Sequence, residues 1–191
     1  MTTLAERPVV ATNTVWNIDP AHSSVEFSVR HMMVSNVKGR LGTVSGKLES
    51  IDENIAGATV DVEIDASSID TGAEQRDAHL KSPDFLDVEN YPKITFKSKR
   101  VEDHRDGTFE VVGDLTIRDV TKEVTLKAED NGRGNSPFGT YVAGFTATTS
   151  FNRHDFGAKW NVALEAGGFL VGDTVKVTLE IEAAKDQPAA E

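Results

Sequence analysis

Five histidines and no cysteine limit the chemistry open to this chain. Without cysteine there are no disulfides, thiolate zinc sites, iron–sulfur clusters or thiol nucleophiles. The histidines stand at 22, 31, 79, 104 and 154. Their spacing offers no His-Glu-x-x-His or comparable ligand set, so no metal is predicted. The sequence holds no phosphate-binding glycine loop, dinucleotide fingerprint, Gly-x-Ser-x-Gly elbow or paired-carboxylate cleft. No catalytic motif is found and no cofactor is implied. What remains are polar side chains set beside apolar runs. His31 ends an apolar strand face, where it either hydrogen-bonds a ligand head group at a cavity mouth or satisfies a backbone carbonyl. Arg76-Asp77-Ala78-His79 puts Arg76 and Leu80 four apart, and His79 three after Arg76, on one face of a short helix. Either Arg76 and His79 meet an anionic or polar head group there, or Arg76 pairs with a carboxylate and holds the helix to a rim. Asn152-Arg153-His154-Asp155-Phe156-Gly157 reads as a corner with an Arg153–Asp155 ion pair. Trp160 follows it, with an apolar face large enough to close the end of a barrel opposite the helix. Residues 163–168 are either a gate or a plain loop, and His104 sits in a solvated hairpin turn.

The elements that must hold these residues are strands. Period-two alternation dominates from residue 14 onward. Val25, Phe27, Val29 and His31 share a face, as do Val60, Val62 and Ile64, then Ile94 and Phe96. The same rhythm sets Phe109, Val111, Gly113, Leu115 and Ile117 on one face, and Val124, Leu126 and Ala128 on another. Tyr141 to Phe151 and Val171 to Ile181 make two long faces. One side is apolar and the other polar, which is the antiparallel pattern. One strand breaks phase: Val37, Gly39 and Leu41 keep one parity, Val44, Gly46 and Leu48 the other. A bulge near Gly42 would reconcile them. Thr71-Gly72-Ala73-Glu74 fits a capping box opening a short helix, and Ser82-Pro83 fits the start of a second helical turn. His31 to Asn36 interrupts the alternation and reads as a further turn.

About eight strands of this length exceed what one open sheet with a bare apolar face allows, so the prediction is a closed, elongated antiparallel eight-stranded barrel with short helical insertions. Eight strands enclose an interior that side chains just fill or that holds a small ligand. Gly39, Gly113, Ala128, Ala143, Ala147 and Ala183 at inward positions point to unfilled space. The alternative is a packed β-sandwich core in which the glycines serve twist. In the hollow reading Phe27, Val29, Val60, Val62, Phe96, Leu115 and Phe145 line the bore.

Length and charge bound the rest. The chain has 191 residues and a formal charge of −11. That length suits one domain: polar residues 1–13, a barrel over 14–184 and a tail at 185–191. The acidic balance argues against nucleic acid and against docking on an anionic membrane. No run reaches the roughly 20 apolar residues of a membrane span, so no stable membrane anchor is expected. The opening residues lack a basic, then apolar, secretory pattern, which makes the cytoplasm the expected compartment.

Several blocks resemble one family. Trp16-Asn-Ile-Asp-Pro-Ala-His22-Ser-Ser-Val25-Glu-Phe27, Asp65-Ala-Ser-Ser-Ile-Asp70-Thr-Gly, Arg76-Asp-Ala-His79-Leu-Lys-Ser-Pro-Asp-Phe85 and Tyr91-Pro-Lys-Ile-Thr-Phe96 are similar to the YceI-like family. Gly113 to Ile117, Phe151 to Gly157 and Leu170 to Asp173 continue the resemblance, which spans roughly residues 14–183. It implies a lipocalin-like barrel with a long apolar tunnel that binds a polyisoprenoid or another long-chain amphiphile, with no catalytic activity established. The expected partner is therefore a long-chain apolar small molecule, with a homodimer allowed through an exposed edge strand. Two alternatives stay open: an enzyme acting on a lipid-like substrate with His31 or His79 as acid or base, and a filled barrel that serves as a stress-related interaction protein.

Overall fold

The computed structural model describes residues 13–51, 54–165 and 167–186. Eleven antiparallel strand segments follow the alternating stretches of sequence: β1 (Asn13–Ile18), β2 (Ser24–His31), β3 (Ser35–Leu41), β4 (Val44–Ile51), β5 (Asn54–Asp65), β6 (Ile69–Asp70), β7 (Lys93–Asp103), β8 (Thr108–Ile117), β9 (Val120–Asn135), β10 (Tyr141–Asn152) and β11 (Val171–Lys185). The sheet runs β1-β4-β5-β7-β8-β9-β10-β11 and closes where β11 pairs with β1 from Trp16↔Lys185 to Ile18↔Ala183. The three remaining segments lengthen this ring. β2 continues β1 along β11, β3 pairs with β2 and runs on into β4, and β6 follows β5 and pairs with β3. The result is a closed eight-stranded barrel with one helix, α1 (Glu74–Lys81), as the alternation predicted. The expected terminal segments overlap it slightly: Asn13 starts β1 and Lys185 ends β11, while 1–12 and 187–191 lie outside the described residues.

The phase break falls where the sequence placed it. β3 ends at Leu41 and β4 starts at Val44, and both side chains are buried. The freed backbone N–H groups of Gly42 and Thr43 donate to Ser68 Oγ at 3.1 and 3.4 Å. Ser68 belongs to a 3₁₀ turn (Ala66–Ser68) in which the Ser67 N–H donates to the Asp65 carboxylate. The kink is thus hydrogen-bonded rather than left open.

Two local expectations are corrected. His31 to Asn36 does not form a helical turn. It is a hairpin tip in which Met32 and Met33 have φ of 48° and 62° and Val34 N–H donates to the His31 carbonyl. The capping box does not form either, since Ala73 occupies the N-cap and offers no side-chain acceptor. Asp77 reaches back and accepts from both the N–H and the hydroxyl of Thr71, so the loop before the helix is tied by a residue inside it. Ser82-Pro83 opens a single turn, in which the N–H groups of Phe85 and Asp87 donate to the Ser82 carbonyl.

The barrel has two different ends. The helix insertion (70–93), the β2–β3 tip and the long loop between β10 and β11 (152–171) all lie at one end, and the β1 and β11 termini at the other. Beyond Thr148↔Lys127 the strands β9 and β10 part. The parting leaves a cleft of about 740 Å³, rich in Lys, Thr and Ser, that faces solvent. Phe156, buried in a 3₁₀ turn (Arg153–Phe156), helps wall this cleft off from the bore.

Candidate ligand-binding site

The bore is hollow in part. At the helix end a cavity of about 390 Å³ opens between β2, β3, α1 and the 157–171 loop. Its walls come from inward strand positions such as Val25, Phe27, Val29, Ile94, Ile117, Val175 and Val177. That volume lies within the roughly 300–1,000 Å³ range of small-molecule sites. Nearer the other end a separate cavity of about 90 Å³ is lined by Val60, Val62, Val111, Phe145 and Leu179, among others. Phe96 and Leu115 line neither. They face each other in register across β7 and β8, with Val62 opposite Phe96 on β5, and along these strands they lie between Ile94 and Ile117 of the large cavity and Val101 and Val111 of the small one.

The predicted site residues therefore fall into three groups. Phe27, Val29, His31, Arg76, His79 and Trp160 share the large cavity. Val60, Val62 and Phe145 belong to the small one. Phe96 and Leu115 belong to the core at the level between the two.

The small inward residues do not make the large cavity, although Ala128 and Ala147 line the small one. A Cβ on Gly39 would lie 2.4 Å from Phe27 Cζ, and one on Gly113 would lie 2.6 Å from Phe96 Cζ. Each glycine is covered by an aromatic ring, so its missing side chain is already replaced. Ala143 and Ala183 pack against Trp16. The large void is bounded instead by full-sized Val, Ile, Leu and Phe side chains that do not meet across the bore. Sequence alternation showed which residues point inward but held no signal for this.

Charge at the large cavity is one-sided. Of its 25 lining residues, the polar ones are Arg30, His31, Gln75, Arg76, His79 and Arg153, and none is Asp or Glu. The whole chain carries 31 acids. No hydroxyl, thiol or carboxylate side chain lines the cavity among the described residues.

The rim is built from α1 and the 157–171 loop. His79 stacks edge-on against Trp160 with centroids 4.6 Å apart and against Phe85 at 5.1 Å, while its Nε2 lies 2.9 Å from Asp84. Trp160 thus stands at the same end as the helix and not at the opposite one, because β11 begins where β10 ends and the loop joining them stays on that side. Arg76 does not pair with a carboxylate. Its Nε donates to the Thr71 hydroxyl at 2.7 Å and its Nη2 to the Thr71 carbonyl at 2.9 Å.

Arg153 is the residue the sequence misread. It does not pair with Asp155 but lies buried, donating to the carbonyls of Ala158, Trp160, Val171 and Gly172, with its guanidinium 6.0 Å from the Phe85 ring centre. Burial lowers its pKa, opposed by Asp173 at 3.9 Å. Arg153 thereby fixes both ends of the loop that presents Trp160. A lone arginine between two strands carried no signal for that role, since its partners are backbone carbonyls that the sequence does not reveal.

Asp19, His22 and Glu182 form a separate group, half-buried at Asp19 and Glu182 and exposed at His22, with ligand atoms within 4.8 Å of one another. Asp19 already binds the Ala21 N–H and His22 Nδ1. No helix among the described residues is long and apolar enough to cross a membrane.

Comparison with known proteins agrees with this architecture. The UPF0312 protein SA2479 of Staphylococcus aureus is 39% identical over 170 residues, covering 88% of this chain and 96% of its own. Burkholderia cenocepacia BcnA superposes with a TM-score of 0.73 at 21% identity, over 86% of this chain and 98% of its own. A polyisoprenoid binding domain from Saccharophagus degradans, implicated in plant cell wall breakdown, gives 0.62 at 14% identity, over 90% and 98%. The YceI-like domain matches residues 16–183, and with the closed eight-stranded barrel already in view, the chain belongs to the YceI-like family.

Proposed function

We propose that this protein binds a long-chain amphiphile, with the apolar tail in the bore and the polar end at the rim formed by His31, Arg76, His79 and Trp160. The observation that carries the reading is the cavity of about 390 Å³ whose wall is apolar and whose few polar side chains include no acid. Taking roughly 30 Å³ per methylene-sized group, the volume of a liquid water, it holds on the order of a dozen carbons. At about 0.8 kcal/mol per buried methylene the gross gain is near 10 kcal/mol, from which ordering a flexible chain subtracts a large share. A longer chain must displace Phe96 or extend past the mouth.

An anionic or hydrogen-bond-accepting head group suits the arginines and the histidine N–H groups best. A polyisoprenoid tail is the first candidate, because the Saccharophagus degradans neighbour is described as a polyisoprenoid binding domain. At 14% identity that neighbour argues for the barrel, and the ligand rests on the cavity. Sequestration or transport is the role such a site supports.

The test is native mass spectrometry of protein purified from its own host, followed by organic extraction. A co-purifying amphiphile at one per chain is expected. No extractable compound, together with no thermal shift by any long-chain amphiphile, overturns the proposal in favour of the filled-barrel alternative. Chemical conversion of the bound compound would replace it with the enzyme alternative.

A further inference from the structure

Seven large apolar side chains are well exposed among the described residues, and five of them gather beside the mouth of the large cavity: Met32, Met33, Val34, Val162 and Phe169. Val34 is 77% exposed, Met33 58% and Phe169 55%. Two segments bring them together. Met32 N–H donates to the Leu170 carbonyl at 2.9 Å, Leu170 N–H donates to the Val162 carbonyl at 2.9 Å, and Ala163 bridges to Phe169. Met33 Cγ lies 3.4 Å from where a Gly168 Cβ would stand. His31 and Leu170, which flank these residues, line the cavity itself.

The tip is also strained. Met32 and Met33 both occupy left-handed backbone, at φ 48° and 62°, where a turn of this type favours Asn-Gly. The strain holds two flexible thioether chains largely in water, Met32 45% and Met33 58% exposed. Such an outlier points to a use for the exposed group, and methionines suit an adaptable contact.

Charge follows the same boundary. From Phe27 to Leu48 the chain carries Arg30, Lys38, Arg40 and Lys47 and not one acid, within a protein of net charge −11. Arg30 braces the turn by donating to the Met33 carbonyl at 2.7 Å, and Arg40 pairs with Asp70. On the facing loop Lys159 is set against Glu165, and Asp173 is near Arg153 and His154. The β2–β3 hairpin is thus a cationic, apolar-tipped projection on an acidic body.

We propose that the β2–β3 tip and the 162–170 loop dock the barrel on a bilayer containing anionic lipids, with Met32, Met33, Val34 and Phe169 entering the head-group layer. Arg30 and Lys38 attract the surface while the acidic remainder is repelled, so the molecule settles with its cavity mouth on the membrane. An amphiphile then passes between bilayer and bore without crossing water. This purpose rests on the proposed function, but the docking itself does not. It also revises the reading from net charge, which averages over a surface whose charges are segregated.

Flotation of the ligand-free protein with vesicles tests this. The wild type should float with phosphatidylcholine vesicles containing phosphatidylglycerol, bind pure phosphatidylcholine at least tenfold more weakly, and lose binding as salt rises. Replacing Met32→Asn and Met33→Gly together relaxes the turn and removes its apolar tip, so the fold is preserved while vesicle affinity falls tenfold or more. Failure of the wild type to float, or equal flotation of the double variant, overturns the proposal. So does a stable dimer in sedimentation that the double variant abolishes while vesicles bind neither protein, because the face is then a self-contact. Titration of both proteins with a soluble amphiphile separates the two proposals: loss of amphiphile binding with vesicle binding intact refutes the cavity reading alone.

Discussion

Phe96 is the residue through which the two cavities act as one site or two. Truncating Phe96→Ala removes the ring that lies on Gly113 and stands between spaces of about 390 and 90 Å³. The far space alone admits about three methylene-sized groups at roughly 30 Å³ each. At about 0.8 kcal/mol per methylene, three more carbons bring about 2.4 kcal/mol, on the order of fifty-fold in Kd. The assay is isothermal titration with a series of straight-chain anionic amphiphiles of about eight to twenty carbons, each added methylene expected to tighten binding about fourfold while it is buried. For the wild type the gain should stop at the length that reaches Phe96. For the variant it should continue for about three carbons more. Deleting a buried Phe also costs about 3–5 kcal/mol of stability, so Phe96→Leu, a milder truncation, supplies a check on a better-folded protein. A break at the same chain length in wild type and both variants refutes the partition, and a wild type with no break refutes the division of the bore.

Four further outcomes follow from the same geometry. Arg153→Met strands buried carbonyls on the Trp160 loop and should lower unfolding free energy by about 3 kcal/mol in urea denaturation, with weaker amphiphile binding. Gly113→Ala sets a Cβ 2.4 Å from the Lys97 carbonyl oxygen and should cost about 1–3 kcal/mol by the same measurement. Arg76→Gln should weaken binding of a carboxylate-headed chain about tenfold, a loss of about 1.4 kcal/mol, while leaving the matching alcohol unchanged in titration calorimetry. His22 hydrogen-bonds Asp19 and faces Glu182, which raises its pKa, and the same bond lowers that of Asp19. The His22 contribution is complete below the ordinary imidazole value of about 6.5 and fades as pH climbs through the raised one. The Asp19 contribution is complete above the ordinary carboxyl value of about 3.9 and is lost as pH falls through the lowered one. The pair therefore stabilises most between these limits. An NMR titration should place His22 above 6.5 and move it down toward that value in Asp19→Asn, where Glu182 still faces the ring.

Sequence alone was enough to specify the barrel. A side chain's face in a strand depends only on the parity of its position, so alternation named the inward set from Val25 to Ile181, and apolar faces that long demanded closure. The kink at Gly42 was legible for the same reason, as a change of parity. What parity cannot reach is depth along the axis or distance across the bore. Gly39 and Gly113 looked like vacancies, and only the closed barrel shows Phe27 and Phe96 lying over them. Trp160 was assigned to the wrong end because a loop's position depends on which strand ends it joins, not on its residues. Arg153 gave no sign of its role, since its acceptors are carbonyls from two distant stretches of chain. Inward-facing residues are a local property of the chain, whereas the hollow they leave is a difference between wall and filling that exists only once all eight strands have closed.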